Sequence, residues 1–527
     1  MLQTTGVRPE TDLEKFRLRT FVDHLRRIGE LEVHDEPVAL ADLSVVIEST
    51  PKATLFTAAG PERFELVAAV SGSRSRLAAA FGVDVRELPH EHMRRLTKPQ
   101  MTYEISSADA PVHAVIRTGA DIDLTTLPFH LQHEQDGAPY ISSAIDFSVD
   151  PVTGRSNVGC RRLMFRDRTT ILPDLIAPSD LKKMYLAAAA RNERLPVSFV
   201  LGSHPLNYVA ATLKRTAGLN GTSGPIDEFS LVATVRGESL AMVRGVSNGI
   251  LVPADAEMVI EGYLDELGHR EAEGPYAEFY GFYGPCHDNP VFHVTAITSR
   301  KDALHQTVRH GIRRLGWTES ANLGGLNAEA GAWKTLRAAN IEPAGLLAVP
   351  ASNGRQHVRV ALRRGTPGEA RLAIAALFSV PRIKHVFVVD EDVDVFDDQE
   401  MEWAMATRFR ADHDIVVSSG FPKHQSDPVA DADQNISKAG FDLTAAYGRP
   451  DYVEYRRPNP PAMQLKPKGA SVRDALRAGP RYFKQLMDDV GSNDGREVGL
   501  ELAALREAGA VKRLRNGEWT LSEGAGS

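Results

Sequence analysis

At 527 residues, 43% of them hydrophobic and 25% charged, the chain exceeds one ordinary core and points to several domains of ~100–200 residues each. A formal net charge of −8 gives no electrostatic reason to bind nucleic acid or an anionic membrane, and no run of ~20 apolar residues spans a bilayer. Two cysteines, Cys160 and Cys286, exclude a disulfide framework and a cysteine-rich zinc site, and the polar, acidic stretch from Met1 to Phe16 lacks a signal peptide's features, so a cytoplasmic setting is expected.

Leu18, Phe21, Val22, Leu25 and Ile28 recur at helical spacing, which predicts an amphipathic helix from about Leu13 to Ile28, ended by Gly29. Leu31–Val33 then begins a strand, and Ala39 to Gly119 mixes short strands with helices such as Ser73–Phe81. From Tyr140 to Arg300 strands dominate: Ile141–Val149, Asn157–Phe165, Val197–Leu201, Leu231–Arg236, Leu240–Val243 and Phe292–Ile297, with one helix at about Leu181–Arg191. Many short strands around one helix predict a barrel-like sheet. Helix and strand alternate again after Arg300, with a buried strand at Lys384–Asp390 and a helix at Gln399–Arg408. Arg456–Ala470, rich in Pro and Lys, reads as a linker. Beyond it, a helix at Asp494–Ala508 and a hairpin turning at Asn516-Gly517 predict a small winged-helix-like module, suited to oligomerisation or a lid role more than to DNA. The expected class is α+β multidomain, with an N-terminal α/β domain (1–119), a central split β-barrel (120–300), a C-terminal α/β domain (301–455) and a helical and hairpin tail (456–527).

The stretch Glu273-Gly274-Pro275-Tyr276-Ala277-Glu278-Phe279-Tyr280-Gly281-Phe282-Tyr283-Gly284-Pro285 places two carboxylates five residues apart among aromatic rings and glycines. Rings exclude water and glycines admit a ligand to the backbone. A carboxylate there is expected to have a raised pKa, which suits proton transfer near neutrality. Such a stretch also reads as a glycine-rich turn with incidental acids. The four rings, Phe279, Tyr280, Phe282 and Tyr283, suggest a flat apolar pocket and an aromatic or heteroaromatic acid, or else they are core.

Other polar residues are open to two readings each. Asn157 and Arg162 lie on one strand, five apart, hence on opposite faces unless a bulge intervenes. Asp180 opens a helix, as a cap or as a ligand; Glu228 follows the turn Gly221–Pro225, at the surface or as a ligand. Asn, Asp and Glu oxygens suit Mg²⁺ or Mn²⁺ beside a phosphate. Lys384 heads its strand, to meet a phosphate or solvent.

Taken in order, Tyr140-Ile141-Ser142, Asn157-Val158-Gly159 with Arg162, Glu228, Val252-Pro253-Ala254 with Glu257–Gly262, Glu273-Gly274-Pro275 with Glu278, and Lys384–Asp394 resemble the UbiD-type decarboxylases, from the N-terminal helix to about Pro450. The resemblance implies that the barrel binds prenylated FMN and that a flavin prenyltransferase supplies it. It implies a Glu-Arg-Glu network of Glu273, Arg162 and Glu278, with Glu278 as the acid that returns a proton after CO₂ leaves. It implies a divalent metal, Mn or Mg, on Asn157 and Glu228, with K⁺ at the cofactor phosphate. The family's usual metal-binding histidine is replaced by Asp180, so either Asp180 stands in for it or fewer protein ligands hold the metal. Ser142, Thr222, Ser223 and Lys384 correspond to phosphate contacts. The substrate would be an aromatic, heteroaromatic or α,β-unsaturated carboxylic acid, and the assembly a homodimer or higher homo-oligomer. The competing reading is a redox flavoprotein in which a split barrel holds ordinary FMN; it gives Glu273 and Glu278 no task.

Overall fold

Six antiparallel strands close into a barrel by backbone pairing: β1 (Tyr140–Val149), β2 (Ser156–Phe165), β3 (Thr170–Pro173), β4 (Leu195–Leu201), β5 (Met258–Leu264) and β6 (Phe292–Ser299). Their order is β5-β4-β1-β2-β3-β6, and β5 pairs with β6 to complete the barrel. The computed structural model describes residues 12–213, 227–363, 366–423, 427–445 and 457–522. They fall into two compact units, Met1–Ala445 and Ala446–Ser527, and the barrel lies in the first.

The pairing of β1 with β2 is irregular where it matters. Ile141 faces Leu163 and Ala144 faces Arg161, so Ser142 and Ser143 together stand opposite the single residue Arg162. An extra residue in one strand reverses which face each later side chain takes. Accordingly Ile141 and Ala144 pack in the cluster with Leu163 and Phe199, whereas Ile145 and Phe147 pack in the other, with Val158 and Val259.

One expected strand is a helix. Glu228–Arg236 is α-helical, capped by the Asp227 carboxylate on the Ser230 N–H and ended by Gly237 at φ 84°. The β-branched run Val232 to Val235 suggested a strand over Leu231–Arg236, but the cap in front and the glycine behind decide otherwise. The helix expected at Leu181–Arg191 is Asp180–Ala190, capped by Ser179.

Around the barrel, the helix Leu18–Arg27 buries Leu18, Phe21, Val22 and Leu25 against a four-stranded sheet. That sheet runs Leu31–His34, Ala53–Ala59, Phe64–Ala68 and then His305–Thr307, so it draws on chain from both sides of the barrel. A five-stranded sheet follows, ordered Pro343–Ala348, His357–Leu362, His385–Asp390, Asn435–Asp442 and Ile415–Pro422. Helices Glu319–Ala338 and Glu369–Phe378 pack with one of its clusters and Asp398–Arg408 with the other. The second unit has its own core of Val472, Leu476, Leu486, Val498, Leu502 and Val511, from three helices and the hairpin Val511–Arg513 with Trp519–Leu521. No helix among the described residues is long and apolar enough to cross a membrane.

Candidate active site

Arg162 enters from β2, opposite the bulge. Its Nε and Nη2 donate to the two oxygens of Glu273 at 2.7 and 2.9 Å, a bidentate pair, and its Nη1 donates to Glu278 Oε1 at 2.5 Å. The Asp174 carboxylate stands 3.7 Å away. Beneath the guanidinium lies the Tyr276 ring, 4.6 Å from Cζ, and the Tyr140 hydroxyl donates to Glu273 Oε1 at 3.0 Å. The expected stretch thus folds around one arginine. Glu273 ends a short strand; Gly274, at φ 96°, turns the chain; and Tyr276–Ala277 pairs with Tyr283–Gly284, leaving Glu278 at the start of a tight hairpin turn. A side chain at Gly274 would be strained in that conformation.

Three carboxylates around one guanidinium leave an excess of negative charge that a proton relieves. Burial holds the Glu278 carboxyl above the ordinary glutamate range, with Asp174 and Glu273 adding to the rise and Arg162 opposing it. The same carboxylates raise Arg162 well above its usual value despite its burial, so the arginine stays charged.

Ser142 is brought to this group from the bulge. Its hydroxyl donates to Gln132 Oε1 at 2.7 Å, and the Tyr276 hydroxyl reaches both Gln132 Oε1 and Ser142 Oγ, at 2.7 and 2.8 Å. Asn157 goes elsewhere. Its amide donates to Asp146 Oδ2 at 2.5 Å, and Arg161 Nε approaches Asp146 Oδ1 at 3.0 Å, on the face of β2 away from Arg162. Glu228 lies beside it, with Oε2 accepting the Val158 N–H at 2.6 Å. The Asp180 carboxylate is directed at Lys183, 2.9 Å, and Arg155, 3.9 Å. Lys384 meets a carboxylate instead of an open phosphate position: its ammonium donates to both oxygens of Asp427 at 3.0 and 3.2 Å. Thr222 and Ser223 lie outside the described residues. Phe279 and Tyr280 are half-buried, but Phe282 and Tyr283 are exposed, so two of the four rings expected in the pocket wall face outward.

Several residues join the site without having been singled out as site residues in the sequence. Tyr140, Asp174 and Gln132 support the ion pairs described above. The His310 ring lies 5.5 Å from Tyr276 and 6.4 Å from Phe279, and burial beside Arg162 lowers its pKa to about 3. Cys160 retains exposed surface although surrounding protein raises its thiol to about 12. A histidine followed by glycine just after a strand, His310-Gly311, was the one local signal available.

The side chains gathered here have the chemistry a flavin ring system calls for. The Tyr276 and Phe279 rings and the neutral His310 imidazole lie against one another beside the charged cluster, which suits a heteroaromatic ligand with polar edges. The expected metal ligands are only partly gathered by the contacts of the described residues. Asn157 and Glu228 are neighbours, but Asp180 is bound to cations, and no group of three His, Cys, Asp or Glu among the described residues is placed to hold a metal.

Comparison with known proteins bears on the family and the fold. A family model for the 3-octaprenyl-4-hydroxybenzoate carboxy-lyase Rift-related domain matches residues 104–312, and one for the C-terminal domain of that carboxy-lyase matches residues 321–443. The anhydromevalonate phosphate decarboxylase of Methanosarcina mazei is 30% identical over 434 residues, covering 81% of this chain and 95% of the relative. Among solved structures, the UbiD-class enzyme HmfF from Pelotomaculum thermopropionicum in complex with FMN is 29% identical, with a TM-score of 0.77 over 84% of this chain and 97% of that one. An evolved dimeric form of HmfF in complex with prFMN is 28% identical, with a TM-score of 0.74 over 85% and 97%. The barrel, the ion-paired arginine and these matches together make the chain a member of the UbiD family of carboxy-lyases.

Proposed function

We propose that the protein catalyses the reversible, non-oxidative decarboxylation of an aromatic, heteroaromatic or α,β-unsaturated carboxylic acid with prenylated FMN, using Glu273, Arg162 and Glu278 for charge control and proton transfer. The observation that carries this reading is the single guanidinium shared between Glu273 and Glu278, with burial raising the Glu278 pKa above the ordinary glutamate range. The relatives' cofactors, FMN and prFMN, support the choice of flavin.

In this reading Glu273 fixes Arg162 through two parallel hydrogen bonds, which orient the fork and leave Nη1 facing Glu278. A substrate carboxylate approaching Nη1 is drawn by the guanidinium, and Tyr276 and Phe279 keep water from its apolar part. The bound cofactor would supply an electron sink for the pair left when CO₂ departs. Glu278 then gives its proton to the carbon that carried the carboxylate and recovers one from solvent. Tyr140, donating to Glu273, keeps that carboxylate from taking the proton in its place.

The test is production with and without a flavin prenyltransferase, followed by an absorption spectrum and a screen for CO₂ release. The panel would include benzoic, furoic and cinnamic acids and, because of the relatives, anhydromevalonate phosphate. CO₂ release only after co-production is expected; equal release without the prenyltransferase would overturn the cofactor assignment. Size-exclusion chromatography of the same preparation checks the expected homodimer.

A further inference from the structure

Beyond the ion-paired arginine, contacts run through the rings to a second cationic group. Arg162 stacks on Tyr276, Tyr276 meets His310, His310 meets Phe279, and the Phe279 ring lies 5.5 Å from the guanidinium of Arg355. Arg355 is placed by shape and not by charge. A Cβ on Gly354 would sit 1.8 Å from the Ala321 carbonyl oxygen, and one on Gly324 would sit 2.1 Å from Arg355 Nε, so two glycines let the loop and its guanidinium press against the helix Glu319–Ala338.

Arg355 is half-buried and makes no ion pair or hydrogen bond with a described residue; burial and repulsion from Arg382 lower its pKa to about 10. Arg382 is likewise without a carboxylate partner among the described residues, and burial lowers it too. It lines a cavity of about 220 Å³ with Tyr280, Lys384, Asp427 and Lys438. The one carboxylate there is engaged by Lys384, and Lys438 donates to the carbonyls of Phe378 and Val380 at 2.7 and 3.0 Å. The nearby acids supply no charge: burial holds the Tyr280 phenol and the Cys160 thiol above their usual values, in the neutral form. Two half-buried guanidiniums without a carboxylate partner repel each other less when an anion joins them. Arginine forks match carboxylate and phosphate oxygens.

We propose that Arg355 and Arg382 form a second anion site that takes a phosphate or carboxylate at the end of the substrate remote from the carboxylate that is lost. The protein would therefore select a doubly anionic unsaturated acid, one anion at Arg162 and the other at Arg355, with its apolar middle along Tyr276, His310 and Phe279. The inference rests on the decarboxylase reading. The same chemistry could serve the cofactor's phosphate, and the test separates the two.

Flavin-loaded, full-length protein is titrated with inorganic phosphate while its thermal unfolding is followed. Wild type should be stabilised; Arg355→Gln should not, at equal flavin content, and Arg355→Lys should retain part of the effect. The preference in kcat/KM for anhydromevalonate phosphate over its dephosphorylated form should fall at least about thirtyfold in Arg355→Gln. No stabilisation of wild type overturns the site. Loss of flavin from Arg355→Gln, or an equal loss on both acids, also overturns it, the former by assigning the guanidinium to the cofactor. Should Arg355→Gln not fold, Arg382→Gln carries the same comparison. If no acid releases CO₂ while phosphate still stabilises wild type, the decarboxylase reading fails and the anion site stands.

Discussion

Glu278 sits between opposing influences: burial and two neighbouring carboxylates favour its proton, and Arg162 favours its loss. An acid catalyst works in its protonated form, so its contribution is complete below its raised pKa and is lost as pH rises through that value. The pH profile of kcat/KM should therefore fall on the alkaline side, and Glu278→Gln should lower turnover by at least about 100-fold while flavin binding persists. Turnover at the wild-type rate would remove Glu278 from the mechanism. Asp180 makes the opposite case. Its carboxylate already has Lys183 and Arg155 as partners, so Asp180→Ala should leave the metal content of the purified holo-protein unchanged, measured by elemental analysis. A drop in metal would restore it as a ligand.

The elements that position these residues were unevenly legible. The alternation of Ile141–Val149 and the strand-like run Asn157–Phe165 after it announced β1 and β2, whose side chains divide between two cores. The bulge at Ser142-Ser143 left no such mark: it is a relation between strands, and only pairing reveals that it faces Arg162. The spacing of Asn157 and Arg162 did show that they belong to opposite faces, and they do: one binds Asp146 and the other Glu273. Leu231–Arg236 misled because β-branched residues in a buried helix look like a strand. Arg355 carried no signal, since an unpaired guanidinium is defined by what does not surround it. Barrel closure depends on one position of this relational kind. Where β5 meets β6 the register shifts between Glu261 and Gly262, and a Cβ on Gly262 would stand 1.9 Å from the His293 carbonyl oxygen. Backbone cannot yield as a side chain tip can, so Gly262→Ala should destabilise the protein by about 1–3 kcal/mol, read as a lower denaturant midpoint. An unchanged midpoint would mean that the barrel opens there at no cost.

Across the whole molecule, catalysis and the C-terminal unit are separable in chain. The family models end at residue 443, the first compact unit ends at Ala445, and the Methanosarcina mazei relative is covered to 95% of its own length by 81% of this chain. Every residue placed at the candidate site, from Gln132 to Asp427, belongs to the first unit, whereas the second closes its own core from Val472 to Val511. A unit with its own core contributes little to the stability of another unless they share apolar surface. Deleting residues 446–527 should therefore leave flavin content and kcat/KM within about twofold of the full chain, and any change should appear in oligomeric state, measured by sedimentation. Loss of flavin on deletion would instead make the second unit part of the active site, and the ion-paired cluster around Arg162 would then be only a portion of the machinery.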